Sequence, residues 1–214
     1  MNSSGTFRNT GPLDSQLLTR SQRRLRVQDS RAVAPVWGRG RKPQSDMEAE
    51  RALAVVARLT ESGVSLGLDG GWGVDALLGS RTRPHDDLDL IVRLDDVGQL
   101  EDALAQIGYV RVHGAPPLSF EMTDPDGHQI DVHPVRFNHA GDGLYRMASG
   151  VDWVYPPDSL SATGKILDRD VPCQTPEMQM LAHTTGYALD AAHRADVEAL
   201  AERFDLLLPP FDSA

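Results

Sequence analysis

At 214 residues, 40% hydrophobic and 24% charged, the chain has the make-up of an ordinary globular protein of one or two domains. Its formal net charge of −10 is unevenly placed: residues 1–46 hold nine Arg/Lys against three Asp/Glu, and the remainder holds twelve against twenty-eight. An acidic body argues against a duplex nucleic acid partner, which needs a basic face, and is compatible with divalent metal, with a cationic substrate or with solubility alone. No run approaches the roughly 18 apolar residues that cross a bilayer, and the opening MNSSGTFRNTGPLDS lacks the apolar stretch of a secretory signal. The lone Cys173 excludes an internal disulfide and a thiolate metal site. A cytoplasmic protein without membrane contact is expected.

Residues 1–44, rich in Ser, Gly, Pro and Arg, read as a basic, disordered tail. Met47 is an alternative initiator, although Ser45 and Glu48 fit an S-x-x-E capping box for the helix that follows. That helix, MEAERALAVVARLTES, carries Leu53, Val56 and Leu59 at helical spacing and ends at Gly63. A short strand, VSLGL, runs into a glycine turn, and a short helix from Trp72 stops at Gly79. DLDLIVR is a strand and DVGQLEDALAQIG an amphipathic helix closed by Gly108. YVRVH and LSFEMTD follow, the latter joined through Pro125-Asp126-Gly127 to HQIDVHPV as a hairpin. Residues 138–174 read as irregular with short strands. Thr175 and Pro176 then mark the N-cap and first position of a helix, and AAHRADVEALAERF is a second, with Val197, Leu200 and Phe204 on one face. The order predicts an α/β (α+β) fold: a core over 45–137 with a mixed sheet flanked by helices, completed by strands and helices over 138–214.

The chemistry concentrates in DGGWGVDALLGSRTRPHDDLDLIVRL, Asp69 to Leu94. Alternate strand residues share a face, so Asp87 and Asp89 project together while Leu88, Leu90 and Val92 project into a core. Two carboxylates about 7 Å apart on one face repel and lose solvation unless a cation lies between them. Oxygen-only ligands suit Mg²⁺ or Mn²⁺. Upstream, Gly70 and Gly71 join a strand to a helix, where backbone can pass close to an anion and free N–H groups meet phosphate oxygens. No Walker A loop and no dinucleotide fingerprint is present.

The two elements together, G-G-W-x-x-D and then R-P-H-D-D-L-D-L, resemble the antibiotic nucleotidyltransferases of the polymerase-β-like superfamily. The likeness is especially to the small aminoglycoside 2″-adenylyltransferase and lincosamide nucleotidyltransferase group, and spans about residues 47–210. The resemblance implies that Gly70 and Gly71 hold a nucleoside triphosphate, ATP in the first place, that Asp87 and Asp89 bind Mg²⁺, and that Arg83 contacts phosphates. It nominates Asp131 of PDGHQIDVHPV as the third carboxylate, either a base for the acceptor hydroxyl or a further metal ligand. His85 and Asp86 are read as groups at the start of the strand, His85 contacting phosphate or orienting Asp87. Asp75 is read as bracing the loop.

The segment from Val171 to Tyr187 also resembles the C-terminal part of these enzymes. His133 shares a face with Asp131 and is a candidate for the acceptor pocket; His183 and Tyr187, four apart on a helix, either stack on the base or sugar or simply pack. Trp72, Met178 and Met180 are read as core. The implied reaction moves a nucleoside monophosphate to a hydroxyl of an aminoglycoside or lincosamide, with pyrophosphate released. A pocket of Asp124, Asp126, Asp131 or Asp142 would suit a polycationic acceptor. The rival readings are a toxin-type nucleotidyltransferase acting on a protein or tRNA, a non-catalytic nucleotide-binding module, and an enzyme of an unrelated metabolite.

Overall fold

The computed structural model of the protein describes residues 45–185 and 190–208; the expectations for the basic tail and for Tyr187 lie outside the described residues. Helix α1 (Ala49–Glu61) buries Ala52, Val55, Val56 and Leu59, the stripe that its 3.6-residue period dictates. The capping box is not formed. Glu48 is the N-cap and makes no cap bond; Ser45 Oγ donates to the Asp126 carbonyl instead, and Glu48 pairs with Arg81. Between them Met47 is fully buried, its N–H donating to the His85 carbonyl at 2.8 Å. Partners distant in sequence have taken both capping groups.

Strand β1 (Leu66–Leu68) leads into helix α2 (Gly70–Leu78). The helix begins at the glycine pair, two residues before the predicted start at Trp72, because the Asp69 carboxylate accepts the Gly70 N–H at 2.7 Å and acts as N-cap. Strand β2 (Asp87–Arg93) has the predicted limits, and helix α3 (Val97–Ala105) buries Val97, Leu100, Ala103 and Leu104. Strands β3 (Val110–Gly114), β4 (Phe120–Thr123) and β5 (Gln129–Phe137) follow. The stretch expected to be largely irregular is more ordered than that, with strands β6 (Gly143–Arg146), β7 (Asp152–Tyr155), β8 (Ala162–Ile166) and β9 (Arg169–Cys173). Thr175 caps helix α4 (Pro176–Thr184) as predicted, and helix α5 (Ala191–Phe204) is the last described element.

The sheet runs β3-β4-β5-β2-β1-β9-β8, with the β6–β7 hairpin continuing from β5. It is mixed: β2 with β5 and β1 with β9 are parallel, the other pairs antiparallel. The α+β expectation is met. On one face Leu88, Leu90, Val92, Ile130 and Val132 join Leu59, Leu100 and Leu104 in the main core. On the opposite face Ile91 and Val135 pack with Tyr145, Trp153, Tyr155 and Met178. Val74, Met180, Val197 and Leu200 tie together α2, α4 and α5. Among the described residues no helix is long and apolar enough to cross a membrane.

The β4–β5 turn is fixed by one side chain. Asp124 accepts the N–H groups of Asp126 and His128, each at 3.0 Å, and a bond from Arg51 at 2.8 Å. Burial works to raise its pKa, but the His128 N–H, the His128 ring and Arg51 outweigh it and hold the carboxyl below its ordinary value. A depressed folded pKa contributes stability above the unfolded value, and this is lost as pH falls through the folded one. Asp124→Asn is therefore expected to cost about 1–2 kcal/mol at pH 7. The gap to wild type should shrink below about pH 4, as read by urea unfolding across a pH series.

Candidate active site

Strand register places the candidate carboxylates. The parallel β2–β5 pairing sets Asp89 opposite Asp131 and Asp87 opposite Gln129; the β4–β5 pairing sets Glu121 opposite Asp131. Directly opposed residues share a face, so Glu121, Asp131 and Asp89 form a row across three strands. Asp69, just past the end of β1, continues it, its N–H donating to the Asp89 carbonyl at 3.1 Å. The structure thus brings together the three aspartates singled out from the sequence and adds two acids that sequence reasoning missed. Glu121 carried a usable signal: it alternates with Phe120 and Met122 and is tied by the hairpin turn to a position opposite Asp131. Asp69 carried only its place before the glycine pair.

Burial and mutual repulsion dominate this row. Asp87 is pushed up to about 7 by burial, then by Asp89 and Asp86. Asp131 is pushed up to about 6 by burial and Asp87, against a 2.7 Å bond from Gln129 Nε2. Asp89 is raised well above its usual range by burial, Asp131 and Asp69. Nearby, His133 Nε2 lies 3.4 Å from Asp89 Oδ1, with burial holding the ring below its ordinary pKa and so neutral. An all-oxygen, undercompensated donor set of this kind fits a hard cation such as Mg²⁺ or Mn²⁺.

A tighter three-residue grouping lies elsewhere among the described residues: ligand atoms of Asp124, Asp126 and His128 fall within 4.8 Å of one another. There, however, Asp124 is committed to the turn and to Arg51. Of the acids expected to line a pocket for a polycation, Asp142 stands apart from the others. Asp124 and Asp126 flank one end of β5 and Asp142 the other, where it is bound by Asn138. The nine residues of β5 separate them by about 26 Å.

The two glycines are explained by what lies against them. Gly70 has φ +57°, and a Cβ there would overlap the Asp89 carboxylate; at Gly71 it would overlap the His85 ring and approach Arg83 Nη2 to 2.8 Å. Their bare backbone lets the first turn of α2 lie against the acidic row. His85 is buried with Nε2 2.5 Å from Asp75 Oδ2, and its ring stacks at a tilt on Trp72 with centroids 4.8 Å apart. Asp75 also accepts the Thr82 N–H at 3.0 Å and hydroxyl at 2.6 Å, bracing the loop as read. Arg83 reaches across to Asp196 of α5 at 2.9 Å, a partner with no sequence signal. Trp72, Met178 and Met180 are core residues, as expected. His183 is buried and faces Asp196.

Fold and site together define a nucleotidyltransferase, an enzyme. A family model described as aminoglycoside-2″-adenylyltransferase matches residues 51–200. The chain is 33% identical over 138 residues to a lincosamide resistance protein of Staphylococcus haemolyticus, covering 64% of this chain and 84% of that one. It is 39% identical over 121 residues to a 2″-aminoglycoside nucleotidyltransferase of Escherichia coli, covering 56% of this chain and 64% of that one. Among solved structures it is similar to the lincosamide antibiotic adenylyltransferase LnuA bound to lincomycin, with TM-score 0.65 and 26% identity over 73% of this chain and 98% of that one. It shares the fold of ANT(2″)-Ia in complex with adenylyl-2″-tobramycin, with TM-score 0.58 and 22% identity over 73% and 88% of the two chains. The chain belongs to the aminoglycoside-2″-adenylyltransferase family.

Because Gly70 is both left-handed and pressed against Asp89, Gly70→Ala is expected to cost upwards of about 1 kcal/mol and to displace Asp89. Thermal unfolding should show the first effect. Loss of transferase turnover in the folded fraction should show the second.

Proposed function

We propose that the protein transfers AMP from ATP to a hydroxyl of a small antibiotic, releasing pyrophosphate, with Mg²⁺ held by Asp87 and Asp89 and with Asp131 as the base. The observation that carries this is the cross-strand row of half-buried carboxylates pressed against a glycine-started helix. Bound there, Mg²⁺ would neutralise charge on the triphosphate and on the oxygens that attack and leave. In this reading the first turn of α2 and Arg83 hold the phosphates, and His85 acts through the Gly71 backbone it touches and through Asp75. The acceptor oxygen bonds to the α-phosphorus as the bond to the β-phosphate oxygen breaks, and the hydroxyl proton passes to the Asp131 carboxylate. Neutral His133 lines the acceptor side.

A lincosamide is the preferred acceptor. The lincosamide resistance protein is matched over 84% of its length, and with Asp124, Asp126 and Asp142 held away, Glu121 is left as the acceptor-side carboxylate beside Asp131. One carboxylate suits a ligand with one amine better than a polycation. An aminoglycoside is the second reading, favoured by the family match over residues 51–200.

Pyrophosphate release measured with ATP, GTP, CTP and UTP against both drug classes, with the product weighed by mass spectrometry, tests this. Release that depends on lincomycin with an adenylylated product is expected. Turnover without any antibiotic dependence would overturn the acceptor assignment. Asp87→Asn is expected to lower turnover about a hundredfold or more, and EDTA should abolish activity until Mg²⁺ is restored. Asp131→Asn should lower kcat by a similar factor with nucleotide affinity nearly kept; a matching loss of Mg²⁺–nucleotide affinity would make Asp131 a ligand rather than a base.

A further inference from the structure

Behind the glycine turn, three polar side chains on the last two helices are buried together: Gln179 and His183 on α4 and Asp196 on α5, with exposures of 0%, 5% and 3%. A buried polar network is costly unless its members satisfy one another, and hydrophobic residues would pack these helices at lower cost. Gln179 Nε2 donates to the Gly70 carbonyl at 2.7 Å. Rotating the amide would set two carbonyl oxygens against each other, so this orientation is enforced. The same nitrogen lies 3.3 Å from His183 Nε2, which must therefore accept, and the ring proton resides on Nδ1. Nδ1 faces Asp196 Oδ2 at 3.7 Å, a charge–dipole contact rather than a full hydrogen bond. Asp196 in turn holds Arg83 Nη2 at 2.9 Å. The guanidinium returns to the glycine turn, where a Cβ on Gly71 would lie 2.8 Å from that same nitrogen.

The contacts close a circuit from Gly70 through Gln179, His183, Asp196 and Arg83 back to Gly71. Its fit depends on a third glycine: a Cβ at Gly73 would meet Gln179 Nε2 at 2.9 Å and the Leu68 carbonyl at 3.0 Å. We propose that Gln179, His183 and Asp196 are positioning residues that set the Arg83 guanidinium at a fixed place over the glycine turn for the phosphates of the donor nucleotide. This rests on the reading that the turn and Arg83 hold the triphosphate. Without the circuit a long, flexible Arg83 would have to be ordered at the moment of binding, at a cost in affinity.

The test measures the affinity of the intact protein for Mg²⁺–α,β-methylene-ATP, a donor analogue that cannot turn over, by isothermal titration. Each variant is accompanied by a thermal unfolding curve. Asp196→Asn and Gln179→Leu are expected to bind about five- to tenfold more weakly while remaining folded, with Asp196→Glu recovering part of the loss. Arg83→Ala should bind more weakly still, and adding Asp196→Asn to it should cost nothing further, because Asp196 acts through Arg83. Equal or tighter binding by Asp196→Asn, or losses that add in the double variant, would overturn the circuit while leaving the donor site in place. Wild-type affinity in Arg83→Ala would remove Arg83 from the donor site, and a wild-type protein that does not bind the analogue would overturn the donor reading and the circuit with it.

Discussion

Repulsion among carboxylates on adjacent strands is the constraint around which this molecule is arranged. Asp89 and Asp131 are opposed in register, with Glu121 and Asp69 on either side of them and Asp87 one step along. Sheet geometry alone forces these side chains onto one face, and burial raises the pKa values of Asp87, Asp89 and Asp131 together. A row of this kind destabilises the sheet that carries it unless cationic charge is brought to it. The surroundings follow from that need: a helix amino terminus against Asp89, an arginine at its margin, and a neutral imidazole in place of a further charge.

The opposite face of the same strands does the stabilising. Leu88, Leu90, Val92, Ile130 and Val132 anchor β2 and β5 against α1 and α3, so the two strands that carry the acids are also among the most firmly held. A site that stores electrostatic strain requires rigid support, and strand alternation supplies both from a single stretch of sequence. Further along, Ile91 and Val135 return the acidic face to an apolar cluster with Tyr145 and Trp153, which confines the polar surface to one end of the sheet.

What could be read from the sequence divides by range. The limits of β2, the β4–β5 hairpin and the Thr175 cap follow from local alternation and turn chemistry, and these agree with the structure. The readings that differ involve partners far away in the chain. Ser45 and Glu48 abandon their capping box for Asp126 and Arg81, and α2 starts early because Asp69 caps it. The Arg83–Asp196 pair joins residues 113 positions apart, and nothing in either segment announces the other. Glu121 lies between these cases, since its register was available from the hairpin but its importance only from the neighbour across it.

The three-residue strand β1 lies between β2, its near neighbour in sequence, and β9, about a hundred residues later. The parallel β1–β9 contact is carried by Leu68 and Cys173 and by the Gln174 N–H donating to the Leu68 carbonyl at 3.2 Å. Loop closure over that span must precede any reward from the pairing. During synthesis the middle of the sheet therefore stays open until its last strand has left the ribosome. A nascent chain stopped before residue 170 presents the bare, uncharged edge of β1 (Leu66–Leu68), a template for pairing with another unfinished copy.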